Sequence, residues 1–175
     1  MKKITAILFL VLNIIIITTS VFSFNVDVAN VCFSPNGGCT EAIVKEINSA
    51  KSEILVQAYS FTSAPIAHAL INAHKNGIKI EVVLDKSQRS KRYTSATFLL
   101  NAGVPIYIDD KHAIAHNKIM IIDRATVITG SLNFTKAAEQ KNAENMMVIR
   151  SAELAKIYVD NWNKHKDHSE KYNGR

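Results

Sequence analysis

Apolar residues along this chain fall into short runs whose period switches repeatedly between two and about four, with polar or glycine-containing breaks between them. Val26 to Phe33 reads as a strand, and Thr40 to Lys51 as a helix with Thr40 as its N-cap. Glu53 to Ser60 is a second strand. Ser63 and Pro65 open the next helix, Gly77 closes it, and Ile78 to Leu84 is an apolar strand. Tyr93 to Ala102 has helical spacing and ends at Gly103, and Val104 to Ile108 returns to a strand. Ile119 to Ile122 is apolar at every position, as in a strand covered on both faces. Asp123-Arg124 reads as a turn and Ala125 to Thr129 as the returning strand. A short helix over Thr135 to Gln140, a strand over Asn145 to Ile149 and a helix over Ser151 to Lys164 complete the pattern. This alternation predicts an α/β layered sandwich with a mixed, largely parallel central sheet flanked by helices; the hairpin makes it mixed, because so short a connection joins antiparallel strands.

The first 23 residues follow a different pattern. Lys2 and Lys3 precede an apolar stretch from Ile4 to Ile17, and Val21-Phe22-Ser23 supplies a small-residue exit. This is the layout of a secretory signal peptide, with cleavage expected after Ser23. The stretch is shorter than the roughly 20 residues of a spanning helix and is interrupted by Asn13, so no stable membrane insertion is expected after cleavage. Residues 24–175 then form one exported domain, periplasmic or secreted.

Removing two lysines and no acid lowers the formal charge from +6 to +4, so the exported chain stays basic. Cys32 and Cys39 flank Phe33-Ser34-Pro35-Asn36-Gly37-Gly38, a turn-forming segment. An oxidising compartment favours a disulfide between them; the alternative is two inert thiols, since neither has a base or metal-ligand spacing beside it.

Candidate chemistry concentrates in Ala115 to Phe134. His116 and Lys118 are two apart in an extended run and project to one face, while Asn117 points away. Gly130 lets the backbone approach a ligand closely, and Ser131 and Asn133 follow it. An imidazole nucleophile, an ammonium, a hydroxyl and an amide are groups that attack on a phosphodiester requires.

The spacing of His116, Lys118, Asp123, Gly130-Ser131 and Asn133 resembles the H-K-D signature of the phospholipase D superfamily. The likeness extends through Ala58-Tyr59-Ser60-Phe61-Thr62, Phe134 to Glu139 and Lys141 to Asn145, and is greatest to small exported endonucleases with one copy of the motif. The resemblance implies an α/β fold and a covalent phosphohistidine on His116. It also implies phosphate binding by Lys118 and Asn133, a hydroxyl donor in Ser131, and no cofactor or metal. Glu144 stands where related nucleases place a carboxylate that orients the histidine, and Asp123 is expected to give structural support within the motif.

With one motif, the leaving oxygen lacks a general acid. A homodimer with a shared active site would supply a second His116 across a twofold axis; His112 is a weaker alternative. Lys86, Arg89, Lys91 and Arg92 follow a predicted strand and could neutralise nucleic-acid phosphates, or form an ordinary solvated loop. Nucleic acid is the first expected substrate and phospholipid the second; a noncatalytic binding protein is the remaining class. His68 and His74 read as surface or packing residues, Tyr59 and Phe61 as core or cleft wall. Lys164 to His168 reads as a solvated tail, with Trp162 packing its helix.

Overall fold

In the computed structural model, residues 25–90 and 94–174 are described. The expected signal peptide therefore lies outside the described residues, as do Lys91 and Arg92. The strands are β1 (Asp27–Ser34), β2 (Glu53–Ala58), β3 (Lys79–Asp85), β4 (Ile106–Asp109), β5 (Lys118–Ile122), β6 (Thr126–Gly130), β7 (Glu144–Arg150) and β8 (Glu170–Lys171). The helices are α1 (Cys39–Asn48), α2 (Ala64–Lys75), α3 (Ser87–Ser90), α4 (Ser95–Asn101), α5 (Lys136–Gln140) and α6 (Ala152–Asp167).

The strands form one sheet in the order β1-β7-β6-β5-β2-β3-β4-β8. The layered α/β class and mixed sheet are as expected, but the balance of pairings is not. Only β2 with β3 and β3 with β4 are parallel; the other five neighbouring pairs are antiparallel. Both parallel pairs are bridged by helices, but a helix alone does not decide direction: β6 and β7 are joined by a segment that carries α5 and still pair antiparallel, while a tight turn reverses β5 into β6.

Alternation sorts each strand between two apolar layers. Ile54, Val56, Val82, Leu84, Met120, Ile122 and Val148 face α1, α2 and α4, whose Ile43, Ile66, Leu70 and Leu99 are buried against them. Leu55, Val83, Ile119, Ile121 and Val127 face α6 through Ala155, Val159 and Trp162. The indole N–H of Trp162 donates to the Val56 carbonyl at 2.9 Å, so a large apolar side chain is buried without orphaning its polar edge.

Two local readings change. Thr40 does not cap α1; the N-cap is Gly38, in the left-handed region. The carboxylate of Glu139, from α5, accepts from the N–H groups of Gly38 and Thr40 at 3.1 and 2.7 Å and from the Thr40 hydroxyl at 2.9 Å. A negative group from a distant helix thus satisfies the α1 amides and complements their dipole. Beside it, Cys32 and Cys39 are disulfide-bonded, with Cα atoms 5.6 Å apart.

The β5–β6 turn is built around Asp123. Asp123 and Arg124 both have positive φ, 53° and 52°, and Ala125 N–H donates to the Ile122 carbonyl at 3.1 Å, the arrangement of a type I′ hairpin. The Asp123 carboxylate accepts from Lys51 N–H, Ser52 N–H and the Ser52 hydroxyl, each at 2.8 Å, and from Glu53 N–H at 3.1 Å. Although burial alone would raise its pKa, these donors hold it below the ordinary 3.8. Asp123→Ala should therefore cost about 1.5–3 kcal/mol at neutral pH, from the loss of its charge-assisted hydrogen bonds to the entry of β2. Because the folded pKa is the lower one, this stabilisation is present above pH 3.8 and fades as acid protonates the folded carboxylate. Denaturant melts at pH 7 and in acid should show the wild-type advantage shrinking; equal stability at pH 7 would refute the brace.

Candidate active site

The strand directions gather the chemistry at one end of the sheet. Lys118, the first residue of β5, pairs with Ala58, the last of β2, and Tyr59 N–H donates to the Asn117 carbonyl at 2.8 Å. Gly130 ends β6 and Glu144 begins β7 at the same end, where Asp85 and Asp109 close β3 and β4. In α/β sheets this is the end at which parallel strands present ligand-binding loops.

His116 is exposed, and its ring centroid lies 4.6 Å from that of Tyr59 at an interplanar angle of 57°. Lys118 is the opposite case, only 7% exposed. Its Nζ donates to the His116 carbonyl at 2.6 Å and sits 5.2 Å from the centre of the Tyr59 ring. Burial pushes its pKa below the usual 10.5, while the Glu144 carboxylate opposes that shift. The ammonium is consequently poorly solvated, and an anion arriving beside it meets little competing water.

Gly130 has φ of 156°, and a Cβ there would lie 2.2 Å from the Asn145 carbonyl oxygen, so a larger residue would push β6 off β7. Ser131 follows with its N–H donating to that oxygen at 3.0 Å and its Oγ accepting from Asn145 N–H at 3.1 Å. Among the described residues, the buried side-chain oxygen of Asn133 has no hydrogen-bond partner, and its backbone carbonyl accepts from Thr135 N–H at 2.7 Å. Glu144 is placed by its N–H donating to Ser34 Oγ at 3.1 Å and by Asn142 Nδ2 donating to its Oε1 at 3.0 Å. Among the described residues its carboxylate acts on Lys118 and Asn142, and the expected hydrogen bond to His116 is not made. A cleft of about 510 Å³ opens between this region and α6, lined by His116, Asn117, Thr129, Ile157 and Asn161 among others.

Other expected positions separate from this group. Asp123 lies at the far end of β5 from Lys118 and serves the turn. Lys86 donates to the His112 carbonyl at 2.9 Å and Arg89 pairs with Glu170 at 2.6 Å, so both take part in contacts within the fold. His112 Nδ1 lies 3.0 Å from the Asp109 carboxylate. His165 and His168 belong to the last turn of α6 and its cap and pack against the same carboxylate, correcting the solvated-tail reading.

Asp85 was not singled out by its pattern. It is 2% exposed and accepts from Ala115 N–H through Oδ2 and from Ser87 N–H through Oδ1, both at 2.8 Å, pinning the segment that leads into His116. An acid closing an otherwise apolar strand was the available signal. Tyr59, expected as core or cleft wall, lies directly against the imidazole.

Residues 43–166 match the family model described as cardiolipin synthase, PLD-like domain. A protein named phospholipase D from Rickettsia felis is 45% identical over 131 residues, 75% of this chain and 66% of that protein. The chain thus spans slightly less than two thirds of that relative's length. Nuc from Salmonella typhimurium, a phospholipase D family member, superposes with a TM-score of 0.79 at 37% identity, covering 85% of this chain and 99% of that one. NucT from Helicobacter pylori shares the fold at 20% identity, with a TM-score of 0.78 over 85% of this chain and all of that one. A family model spanning most of the sequence and a 37% identical structure matched along nearly its whole length establish that the chain belongs to the phospholipase D superfamily.

Proposed function

We propose that this protein is an exported hydrolase of phosphodiester bonds that cleaves nucleic-acid backbones through a covalent intermediate on His116. The observation that carries the reading is the pairing of an exposed imidazole, two residues before β5, with a desolvated ammonium on the first residue of that strand. An imidazole nitrogen of His116 attacks phosphorus, the P–O bond to the leaving group breaks, and that oxygen takes a proton from a general acid. Water then attacks the phosphohistidine and restores His116 as the phosphate leaves. Lys118 and the Asn133 amide neutralise the non-bridging oxygens, with the Ser131 hydroxyl as a further donor.

The acid is His116 of the partner subunit in a homodimer. Two observations support a second copy: His116 is exposed, and an apolar strip runs beside the cleft. Val31 and Phe33 project from β1 at 48% and 66% exposure, Val31 pairs with Met147, Met147 pairs with Thr129 of the cleft, and Ile157 of α6 is 50% exposed. Nucleic acid is favoured by the basic charge and by a shallow cleft that admits a polymer. Phospholipid is the second reading, carried by the 45% identical relative named phospholipase D and by the same apolar strip, which could meet a lipid surface.

Untagged mature protein with no added divalent ion should nick plasmid DNA and degrade RNA, and His116→Ala should lose at least about a thousandfold of that rate, as removal of a covalent nucleophile does. Head-group release from phosphatidylcholine vesicles without nucleic-acid cleavage would select the lipid reading instead. When wild type is mixed with excess His116→Ala under exchanging conditions, activity should fall with the heterodimer fraction; full activity in isolated heterodimers would eliminate the shared site. Lys118 acts as a cation, so activity should decline as pH rises through its lowered pKa. Removing the Glu144 charge lowers that pKa further, and Glu144→Gln should move the alkaline limb of the pH–rate profile to lower pH; an unmoved limb would mean that Glu144 does not act through Lys118.

A further inference from the structure

Asp109 with His112, and His165 with His168, are two pairs of the same spacing from distant parts of the chain, and they meet beside the end of β4. The Asp109 side chain has no exposed surface. Its Oδ2 lies 3.0 Å from His112 Nδ1 and 2.6 Å from His165 Nδ1, and its Oδ1 lies 3.2 Å from His168 Nε2. One nitrogen or oxygen from each of the four residues falls within 4.8 Å of all the others. The three imidazole centroids are separated by 4.8, 5.3 and 5.4 Å.

Hydrogen bonding alone accounts poorly for this cluster. One carboxylate faces three imidazole rings at once. Asp109 Oδ1 already accepts from Lys111 N–H at 3.1 Å. Among the described residues, His168 Nε2 is sealed from solvent and has Asp109 Oδ1 at 3.2 Å without the alignment of a good hydrogen bond, so a nitrogen aimed at the carboxylate is poorly compensated for lost water. A dication would use the lone pairs of three neutral imidazoles and balance the carboxylate. Zinc bonds of about 2.0–2.2 Å to nitrogen and oxygen hold tetrahedral ligand atoms about 3.3–3.5 Å apart. That spacing lies between the shortest contact here, 2.6 Å, and the 4.8 Å span.

We propose that Asp109, His112, His165 and His168 form a tetrahedral site for a zinc-class dication that fastens the loop preceding His116 to the C-terminal turn of α6. Three imidazoles select a borderline transition metal over calcium or magnesium, which take oxygen ligands. Four protein ligands leave no open position, so the ion is structural and stands apart from phosphoryl transfer. The loop it fastens runs from His112 to the nucleophile four residues later.

Untagged protein stripped with chelator and dialysed should bind one Zn²⁺ per chain by calorimetry and by metal analysis after gel filtration, with a higher melting temperature. Co²⁺ should give the strong visible absorption of a tetrahedral centre. His168→Ala, a partly exposed position that leaves the core intact, should weaken Zn²⁺ binding at least about tenfold, abolish the melting shift and lose the Co²⁺ band. A His68→Ala/His74→Ala double variant should behave as wild type. Failure of the wild type to retain zinc, or a His168→Ala variant with unchanged stoichiometry and melting shift, would overturn the site and leave a hydrogen-bonded imidazole–carboxylate cluster.

Discussion

The antiparallel pairing of β2 with β5 is the constraint on which the site depends. It joins the parallel half of the sheet, where helices bridge β2, β3 and β4, to the antiparallel half made by β5, β6, β7 and β1. Its register sets Lys118 against Ala58 and brings Tyr59 beside His116 through the Tyr59–Asn117 hydrogen bond. A slip of one residue would turn Lys118 away from this face and drive Met120 and Ile122 out of the larger core. The apolar residues downstream therefore hold the geometry of His116 and Lys118 at the strand's beginning. At its other end Asp123 locks the same register by binding three consecutive amides at the entry to β2.

The electrostatics of the site follow from where β5 emerges. His116 lies outside the sheet and faces solvent, while Lys118 lies within it and is desolvated. Burying an ammonium costs free energy that its hydrogen bond to a carbonyl and the more distant Glu144 charge offset only in part, as its lowered pKa records. In the proposed reaction, a bound phosphodiester monoanion, and still more its phosphorane-like transition state, would supply the missing negative charge. Part of the cost of folding the lysine into this position is thereby returned when the substrate is engaged, which is the sense in which the donor is preorganised.

What was legible in the sequence is what is local. The β5–β6 hairpin could be read because alternation, Asp123-Arg124 and Gly130 act within a few residues of one another, and the helices were found to within a few positions. The β8 strand was missed because two residues carry no period, and α3 because it is a single turn inside a basic loop. The parallel bias was overestimated because sequence shows which strands have helices between them, whereas β1 and β7 pair across most of the chain. The same limit applies to side chains. Glu139 capping α1, Asp85 holding Ala115 and three histidines around Asp109 are contacts between residues tens of positions apart, and their residue types look ordinary in their own segments.

The Asp85 and Asp109 contacts converge on the loop that carries the proposed nucleophile. Residues 110–117 connect β4 to β5 and carry His116 near their end. An irregular loop is a poor mount for a nucleophile, since small displacements at phosphorus are costly in rate. Here the loop is held at three heights: Asp109 takes the N–H of Lys111, Lys86 takes the carbonyl of His112, and Asp85 takes the N–H of Ala115. Asp85 and Asp109 are neighbours in the parallel register of β3 and β4, so two buried carboxylates at adjacent strand ends fix the loop from below. The acids that close these strands thus position the segment leading into His116, the proposed nucleophile, without belonging to the motif themselves.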